Sequence, residues 1–151
     1  MSTITNLVTG HVGLNVTDLE RSLAFYRTVF DFEVMAAGDE TDRRWAFLGR
    51  DGRLLVTLWQ QSEGTFSVST PGLHHLSFQV DTIDEVNATA EVLRGLGAEF
   101  AYEGVVPHGE QGVSGGVYFT DPDGTRLEIY APTGADPAAA PVPGAPTCGF
   151  F

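Results

Sequence analysis

Residues 10–16 read GHVGLNV, and residues 74–80 read HHLSFQV. When His11 is set against His75, 64 residues later, the apolar positions of the two runs coincide, and a helix-start signal follows each run. A repeat that occurs only twice indicates two copies of one supersecondary unit sharing a core, because a solenoid needs three or more copies. The repeat also gives each half of the chain one histidine at a matching position.

Both runs alternate between apolar residues and polar or small ones, which is typical of a strand with one buried face. The apolar face consists of Val12, Leu14 and Val16 in the first copy and of Leu76, Phe78 and Val80 in the second. The opposite face consists of His11, Gly13 and Asn15 in the first copy and of His75, Ser77 and Gln79 in the second. We therefore expect the apolar face of each strand to pack on a helix and the histidine-bearing face to point away from that helix.

A helix is expected directly after each of these strands. Residues 17–20 read TDLE and residues 82–85 read TIDE. Both fit the capping box, in which Thr and a Glu three residues later satisfy the free N–H groups of a helix start. Apolar residues then recur at helical spacing, at Leu19, Leu23, Tyr26 and Phe30 in the first helix and at Ile83, Val86, Ala90, Leu93 and Leu96 in the second. Gly95 and Gly97 mark the end of the second helix.

Three further strands are expected after each helix. They span residues 32–37, 43–49 and 53–60 in the first half and residues 98–104, 115–120 and 125–131 in the second. Each half is thus a βαβββ module, and the pair predicts an α+β domain over residues 8–132, with module one at 8–62 and module two at 71–132. Residues 133–151 are rich in Pro, Ala and Gly and predict a flexible tail, whose apolar end could dock on the domain or on a second subunit.

Composition narrows the class of protein. The 151 residues carry a net charge of −12, and all eight basic residues are arginine. This balance argues against nucleic acid and anionic membranes as partners, because both need clustered cations. The single cysteine, Cys148, excludes an intrachain disulfide and indicates a reducing compartment. No signal peptide and no apolar run of membrane-spanning length is seen, so a cytoplasmic protein is expected.

The last predicted strand completes a set of metal-binding side chains. Leu127 and Ile129 should face the helix, which puts Glu128 on the face that carries His75 if the strands share one sheet. Two histidines from equivalent strands, His11 and His75, and this glutamate then make a 2-His-1-carboxylate set. Imidazole and carboxylate suit a borderline divalent ion, and three protein ligands leave positions open for substrate or oxygen.

The ordered motifs resemble a known family. GHVGLNVTDLERSLAFYRTVF, GLHHLSFQVD and YFTDPDGTRLEIYAP, with the ending DPDG-x-x-x-E, are similar to the vicinal oxygen chelate superfamily of glyoxalase I, fosfomycin-resistance enzymes, extradiol dioxygenases and bleomycin-resistance proteins. The resemblance covers residues 8–132. It implies curled mixed sheets around a central metal-centred cavity, with ligands on the first and last strands of each half. It also implies a homodimer.

Carried over position by position, the resemblance assigns three of the four family ligand positions to His11, His75 and Glu128. The fourth falls on Thr57, which is a poor metal ligand, and Gln60 could serve only if the register slipped by more than one residue. This departure argues against a four-ligand glyoxalase I or epimerase site. Fosfomycin-resistance enzymes need a cationic pocket, and only Arg126 lies obviously on the site face.

Extradiol dioxygenases are the most similar in the order of their site residues. Their catalytic domain has a His and a Tyr upstream of the final Glu, and His108 and Tyr118 stand in that order here as candidate catalytic residues. Candidate substrate-binding residues on the same face are Asn15, Thr57, Trp59, Gln79 and Arg126. His74, adjacent to His75, should point to the other face in a structural role.

The predicted function is therefore a metal-dependent enzyme acting on a small molecule whose vicinal oxygens chelate the metal. A ring-cleaving dioxygenase with Fe²⁺ leads, with Mn²⁺, Zn²⁺ and Ni²⁺ as alternative metals, and a glyoxalase-like lyase or isomerase follows. The rival from another class is a metal-free protein that sequesters a drug or metabolite, as bleomycin-resistance proteins do. The acidic charge favours the rival, whereas the His/His/Glu set favours the enzyme.

Overall fold

The computed structural model describes residues 3–40, 42–149 and 151. The chain forms two compact units, Met1–Gly64 and Thr65–Phe151. Over the described residues each unit contains one α-helix and one four-stranded mixed sheet, in the predicted order strand, helix and three strands. The α+β class and the paired βαβββ modules are thus confirmed.

The first unit follows the sequence pattern closely. Its elements are β1 (Val12–Val16), α1 (Leu19–Phe30), β2 (Glu33–Glu40), β3 (Arg43–Arg50) and β4 (Arg53–Gln60). The sheet order is β1-β4-β3-β2, with β1 parallel to β4 and the other pairs antiparallel. Val56 and Leu58 are fully buried, and α1 packs against β3 and β4, as the alternation along β4 predicts.

The second unit has the same layout with one change. Its elements are β5 (Leu76–Gln79), α2 (Ile83–Gly95), β6 (Val106–Pro107), β7 (Val113–Thr120) and β8 (Arg126–Ala135), in the sheet order β5-β8-β7-β6. The strand predicted at residues 98–104 is wrong. This stretch makes only an isolated bridge between Phe100 and Phe119, and Gly104, at a φ of 69°, turns the backbone before β6 begins.

Of the two predicted capping boxes, the structure confirms the one at α2 and not the one at α1. Thr82 and Glu85 form the predicted capping box at α2. At α1 the N-cap is Asp18 instead of Thr17, and the Asp18 carboxylate accepts a hydrogen bond from the backbone N–H of Arg21 at 3.1 Å. The Oε1 atom of Gln60 accepts from the N–H of Leu19 at 2.8 Å, so a side chain from β4 satisfies a second donor of this helix.

The last strand extends into the segment that was predicted to be a tail. β8 continues to Ala135, three residues into the segment assigned to the tail, and Thr147–Gly149 form a short 3-10 helix. Within the described part of the chain, no helix is both long and apolar enough to cross a membrane.

Candidate metal and substrate site

Strand pairing makes Thr57 and Glu128 equivalent positions of the two units. Gly13 of β1 lies opposite Thr57 of β4, and Ser77 of β5 lies opposite Glu128 of β8. Because Gly13 and Ser77 are 64 residues apart, like His11 and His75, the register reproduces the equivalence that the repeat predicts. One unit therefore carries a carboxylate where the other carries a hydroxyl.

Glu128 is the centre of a polar cluster in the second unit. Its side chain is buried, and its Oε2 atom lies 3.6 Å from Nε2 of His75. Its other oxygen, Oε1, lies 2.5 Å from Nε2 of His108. The structure thus places the predicted ligand His75 and the predicted catalytic residue His108 beside the two oxygens of Glu128, which is itself a predicted ligand.

The protonation states suit metal binding. Burial lowers the pKa of His75, although the charge of Glu128 acts in the opposite direction, so the imidazole is neutral at physiological pH. Burial alone would raise the pKa of Glu128, but the hydrogen bond and charge of His108 lower it on balance. A neutral imidazole and an ionised carboxylate are the forms in which these side chains bind a divalent cation.

The spacing of these two side chains also fits a shared ion. Two donors that are each about 2.1 Å from one metal can be no more than about 4.2 Å apart, and the His75–Glu128 distance of 3.6 Å is within that limit. The third predicted ligand, His11, belongs to the first unit and precedes β1 by one residue. Among residues 3–40, 42–149 and 151, no group of three or more His, Cys, Asp or Glu side chains is arranged to hold a metal ion.

His108 is held in place from both sides of its ring. Its Nδ1 atom lies 2.8 Å from the hydroxyl of Ser114, while Nε2 faces Glu128. The backbone N–H of His108 donates to the carbonyl of Ser114, so the short loop between β6 and β7 fixes the residue. The ring also packs edge-to-face on Tyr130 at 5.0 Å. The loop histidine that the sequence singled out therefore has a defined orientation beside the carboxylate.

Tyr118 stands opposite Glu128 in the sheet and is completely buried. Its hydroxyl makes no hydrogen bond with any described residue. Burial raises the pKa of Tyr118, and the negative charge of Glu128 raises it further. The phenol is thus a neutral donor beside the Glu128 carboxylate, without a hydrogen bond of normal geometry among the described residues, and a ligand oxygen at the site would supply one.

Three of the predicted substrate-binding residues make side-chain contacts within their own unit. The Nε2 atom of Gln61 donates to Oδ1 of Asn15, and the hydroxyl of Tyr130 donates to Oε1 of Gln79, each at 2.8 Å. Arg126 lies over the ring of Phe151. These contacts orient the side chains without assigning them a ligand.

An aromatic platform on the first sheet extends the prediction made for Trp59. It consists of Trp45, Phe47 and Trp59, whose ring centroids lie 4.8 to 6.1 Å apart. The indole N–H of Trp59 donates to Thr57 and that of Trp45 donates to Glu40. Sequence reasoning missed Trp45 and Phe47, although the alternation of β3 places them on the face of Trp59.

His74 differs from its prediction. Its Nδ1 atom lies 2.8 Å from Nδ1 of His75, so it contacts the site instead of pointing away from it. The two histidines precede β5, which begins at Leu76, and the alternation of a strand does not extend to them.

Fold and site together define a class of protein. The chain belongs to the Glyoxalase/Bleomycin resistance protein/Dioxygenase superfamily, whose family model matches residues 9–129. The resemblance to this superfamily that the motifs indicated is confirmed.

Two relatives and one solved structure give the match more detail. The chain is 30% identical over 126 residues to a catechol-2,3-dioxygenase of Bacillus subtilis strain 168, covering 81% of this chain and 40% of that protein's length. It is 35% identical over 120 residues to a probable trivalent organoarsenical cleaving enzyme of the same organism, covering 80% and 77%. A Listeria monocytogenes fosfomycin resistance protein, solved with Mn(II) and dihydroxypropylphosphonic acid, is 27% identical with a TM-score of 0.64, covering 87% and 93%.

Proposed function

We propose that this protein is a metal-dependent enzyme that acts on a small molecule with two vicinal oxygens, and that its reaction is ring cleavage by an extradiol-like dioxygenase. The observation that carries this proposal is the buried Glu128 carboxylate, 3.6 Å from a neutral His75 at the two ligand positions that the superfamily motif assigns to this half. His11 would supply the third ligand. The similarity to a catechol-2,3-dioxygenase, although it spans 40% of that protein, supports the same class of reaction.

A divalent ion held by His11, His75 and Glu128, with Fe²⁺ favoured over Mn²⁺, Zn²⁺ or Ni²⁺, would supply Lewis-acid and oxygen chemistry. The chain's own residues would do the rest. His108 contacts Ser114 through Nδ1 and Glu128 through Nε2, and it would accept a proton from a substrate hydroxyl that takes the place of the Ser114 hydroxyl at Nδ1. The Tyr118 hydroxyl would donate to a substrate oxygen, since it is buried beside Glu128 and makes no hydrogen bond of normal geometry with a described residue.

The aromatic platform of the first sheet is suited to a flat ligand. Both indole N–H groups of the platform are occupied by Thr57 and Glu40, so it offers ring surfaces to a ligand and no polar edge. Planar aromatic ligands pack well on such surfaces. A catechol has a planar ring, which suits aromatic surfaces of this kind, and vicinal oxygens, which suit the proposed metal ligands.

The experiment is oxygen uptake with a panel of catechols after loading the purified protein with Fe²⁺, with Mn²⁺, Zn²⁺ and Ni²⁺ in parallel. We expect uptake with Fe²⁺ on at least one catechol. Metal content of protein purified without chelator should fall in His11→Ala and stay unchanged in Glu110→Gln, an exposed carboxylate of the second unit. Uptake on none of the catechols would replace the dioxygenase by the lyase or isomerase, for which an aromatic trivalent arsenical and methylglyoxal adducts are the first substrates to test.

A metal-free binding protein is the second candidate, and the aromatic platform is the observation that favours it. Three packed rings suffice to hold a flat drug or metabolite without any metal. Metal analysis separates the two candidates. Protein that holds no metal, binds aromatic ligands and loses no affinity in Glu128→Gln would be a sequestering protein. A homodimer is proposed for either function, with sedimentation as its test.

A further inference from the structure

The ring of Phe151 lies among the residues of the candidate site in the second unit. Its centroid is 4.8 Å from that of Tyr118 and 5.5 Å from that of His75, both in edge-to-face geometry. The guanidinium of Arg126 lies 5.6 Å from the same centroid. A candidate catalytic residue, a candidate metal ligand and a candidate substrate-binding residue therefore all contact one phenyl ring, which comes from outside the region that matches the family model.

The C-terminal segment, residues 147–151, is attached to the unit by a second contact. The Thr147 hydroxyl donates a hydrogen bond of 2.9 Å to the carbonyl of Pro107, and Thr147 is almost completely buried. Pro107 belongs to β6 and directly precedes His108. Thr147 is thus attached to the strand next to His108, and Phe151 lies against His75.

The contacts around Phe151 are those that a planar aromatic ligand would make. Edge-to-face packing on Tyr118 and a guanidinium over a ring surface each contribute a weak but definite attraction. The ring is half-buried, and its described contacts are ring packing and the Arg126 guanidinium, which a ligand ring can make in its place. A ligand ring with ionised oxygens would gain more from Arg126 than a phenyl ring does.

We propose that Phe151 occupies the ring position of the substrate, and that a planar aromatic substrate displaces the C-terminal segment when it binds beside His75, Tyr118 and Arg126. The inference rests on the proposed function only in taking these residues as the substrate site. It specifies a carbocyclic aromatic ring as the substrate class and gives the tail a role as a competing internal occupant. Competition of this kind lowers the affinity for ligand by the fraction of molecules in which the site is open.

The test compares catechol binding to the wild-type chain and to Phe151→Ala by calorimetry, with ethane-1,2-diol as a ligand that has vicinal oxygens and no ring. We expect Phe151→Ala to bind catechol about 10-fold more tightly, and the affinity for the diol to change less than about 2-fold. Thr147→Val keeps the ring but loses the hydrogen bond to Pro107, and it should shift catechol affinity in the same direction. Phe100→Ala is the matched control, because Arg94 lies over Phe100 at the same 5.6 Å in this unit.

Fluorine NMR reports directly on whether the ring at position 151 leaves its site. With para-fluorophenylalanine at position 151, the fluorine NMR signal should move to the value of an unstructured peptide as catechol saturates the protein. An unchanged signal at saturation would overturn the proposal, as would equal catechol affinity of the wild type and Phe151→Ala, or no catechol binding by either.

The binding assay distinguishes this inference from the proposed function, because it needs no turnover. If Phe151→Ala tightens catechol binding but no metal or oxygen uptake is found, the proposed enzyme fails and the displaced ring stands. If oxygen uptake is found and the catechol affinity is the same in both proteins, the proposed enzyme is supported and the displacement of Phe151 fails.

Discussion

Nε2 of His108 lies 2.5 Å from Oε1 of Glu128, on the side of the carboxylate opposite to His75. The carboxylate therefore has one oxygen for His108 and one for His75. In metal sites, such an outer hydrogen bond orients the ligand and tunes the affinity for the ion. Thr57, the equivalent residue of the first unit, is uncharged, and its hydroxyl accepts a hydrogen bond from the indole N–H of Trp59.

Glu128→Gln tests this arrangement. The amide keeps an acceptor for His108 but loses the charge that the metal needs. Since changes in outer-shell partners already cost about 10- to 100-fold in metal affinity, we expect this variant to lose at least about 100-fold. Competition with a chromophoric chelator measures the loss, and Glu110→Gln should bind as the wild type does. Equal affinity of Glu128→Gln and wild type would remove Glu128 from the ligand set.

Tyr118→Phe separates a catalytic hydroxyl from a structural one. A buried hydroxyl without a partner costs about 1 to 3 kcal/mol, so its removal should leave the free energy of unfolding unchanged or raise it by about 1 kcal/mol. The proposed function requires a lower kcat/KM in the same variant. Urea unfolding and oxygen uptake provide the two measurements.

Tyr130→Phe is the comparison for that variant. The Tyr130 hydroxyl donates to Gln79, and its removal should lower the free energy of unfolding by up to about 1 kcal/mol. If Tyr118→Phe destabilised the protein as much as Tyr130→Phe, the Tyr118 hydroxyl would have a partner in the fold and its proposed role would lose support.

The repeat made most of the fold predictable. Alternation over residues 10–16 and 74–80 predicted β1 and β5, and parity along the last strand predicted the face of Glu128, which the structure pairs with Tyr118 across β7 and β8. This worked because strand register follows from which face is buried, and a slip of one residue would turn every apolar side chain outwards.

The errors have local causes. Thr17 and Asp18 are both good N-cap residues, and the choice between them depends on where Gln60 of β4 meets the helix, which local sequence does not contain. Alternation also fails before a strand begins, so His74 was placed wrongly. Phe151 at His75 is a contact over 76 residues of chain, in a segment whose composition indicated flexibility and left open where its apolar end docks.

Asp18→Ala and Thr17→Ala test the corrected helix start. The Asp18 side chain accepts from the backbone N–H of Arg21, and loss of an N-cap of this kind costs about 1 kcal/mol. Thr17 is not the N-cap, and its hydroxyl accepts from the exposed guanidinium of Arg21, so Thr17→Ala should cost less stability than Asp18→Ala. Urea unfolding of both variants decides between them, and a larger loss in Thr17→Ala would restore the capping box at residues 17–20.

Gly38→Ala tests whether the aromatic platform is built for a ligand. Gly38 of β2 lies opposite Trp45, and an added Cβ would approach the Trp45 ring and the Glu40 carboxylate to 2.7 Å. Because the ring must move, we expect a loss of about 1 to 3 kcal/mol in stability, a shift in tryptophan emission and weaker binding of aromatic ligands. Gly10→Ala is the control, since an added Cβ there meets no described atom within 4 Å. Unaltered ligand affinity with a displaced Trp45 would show that the platform stabilises the sheet and does not bind the substrate.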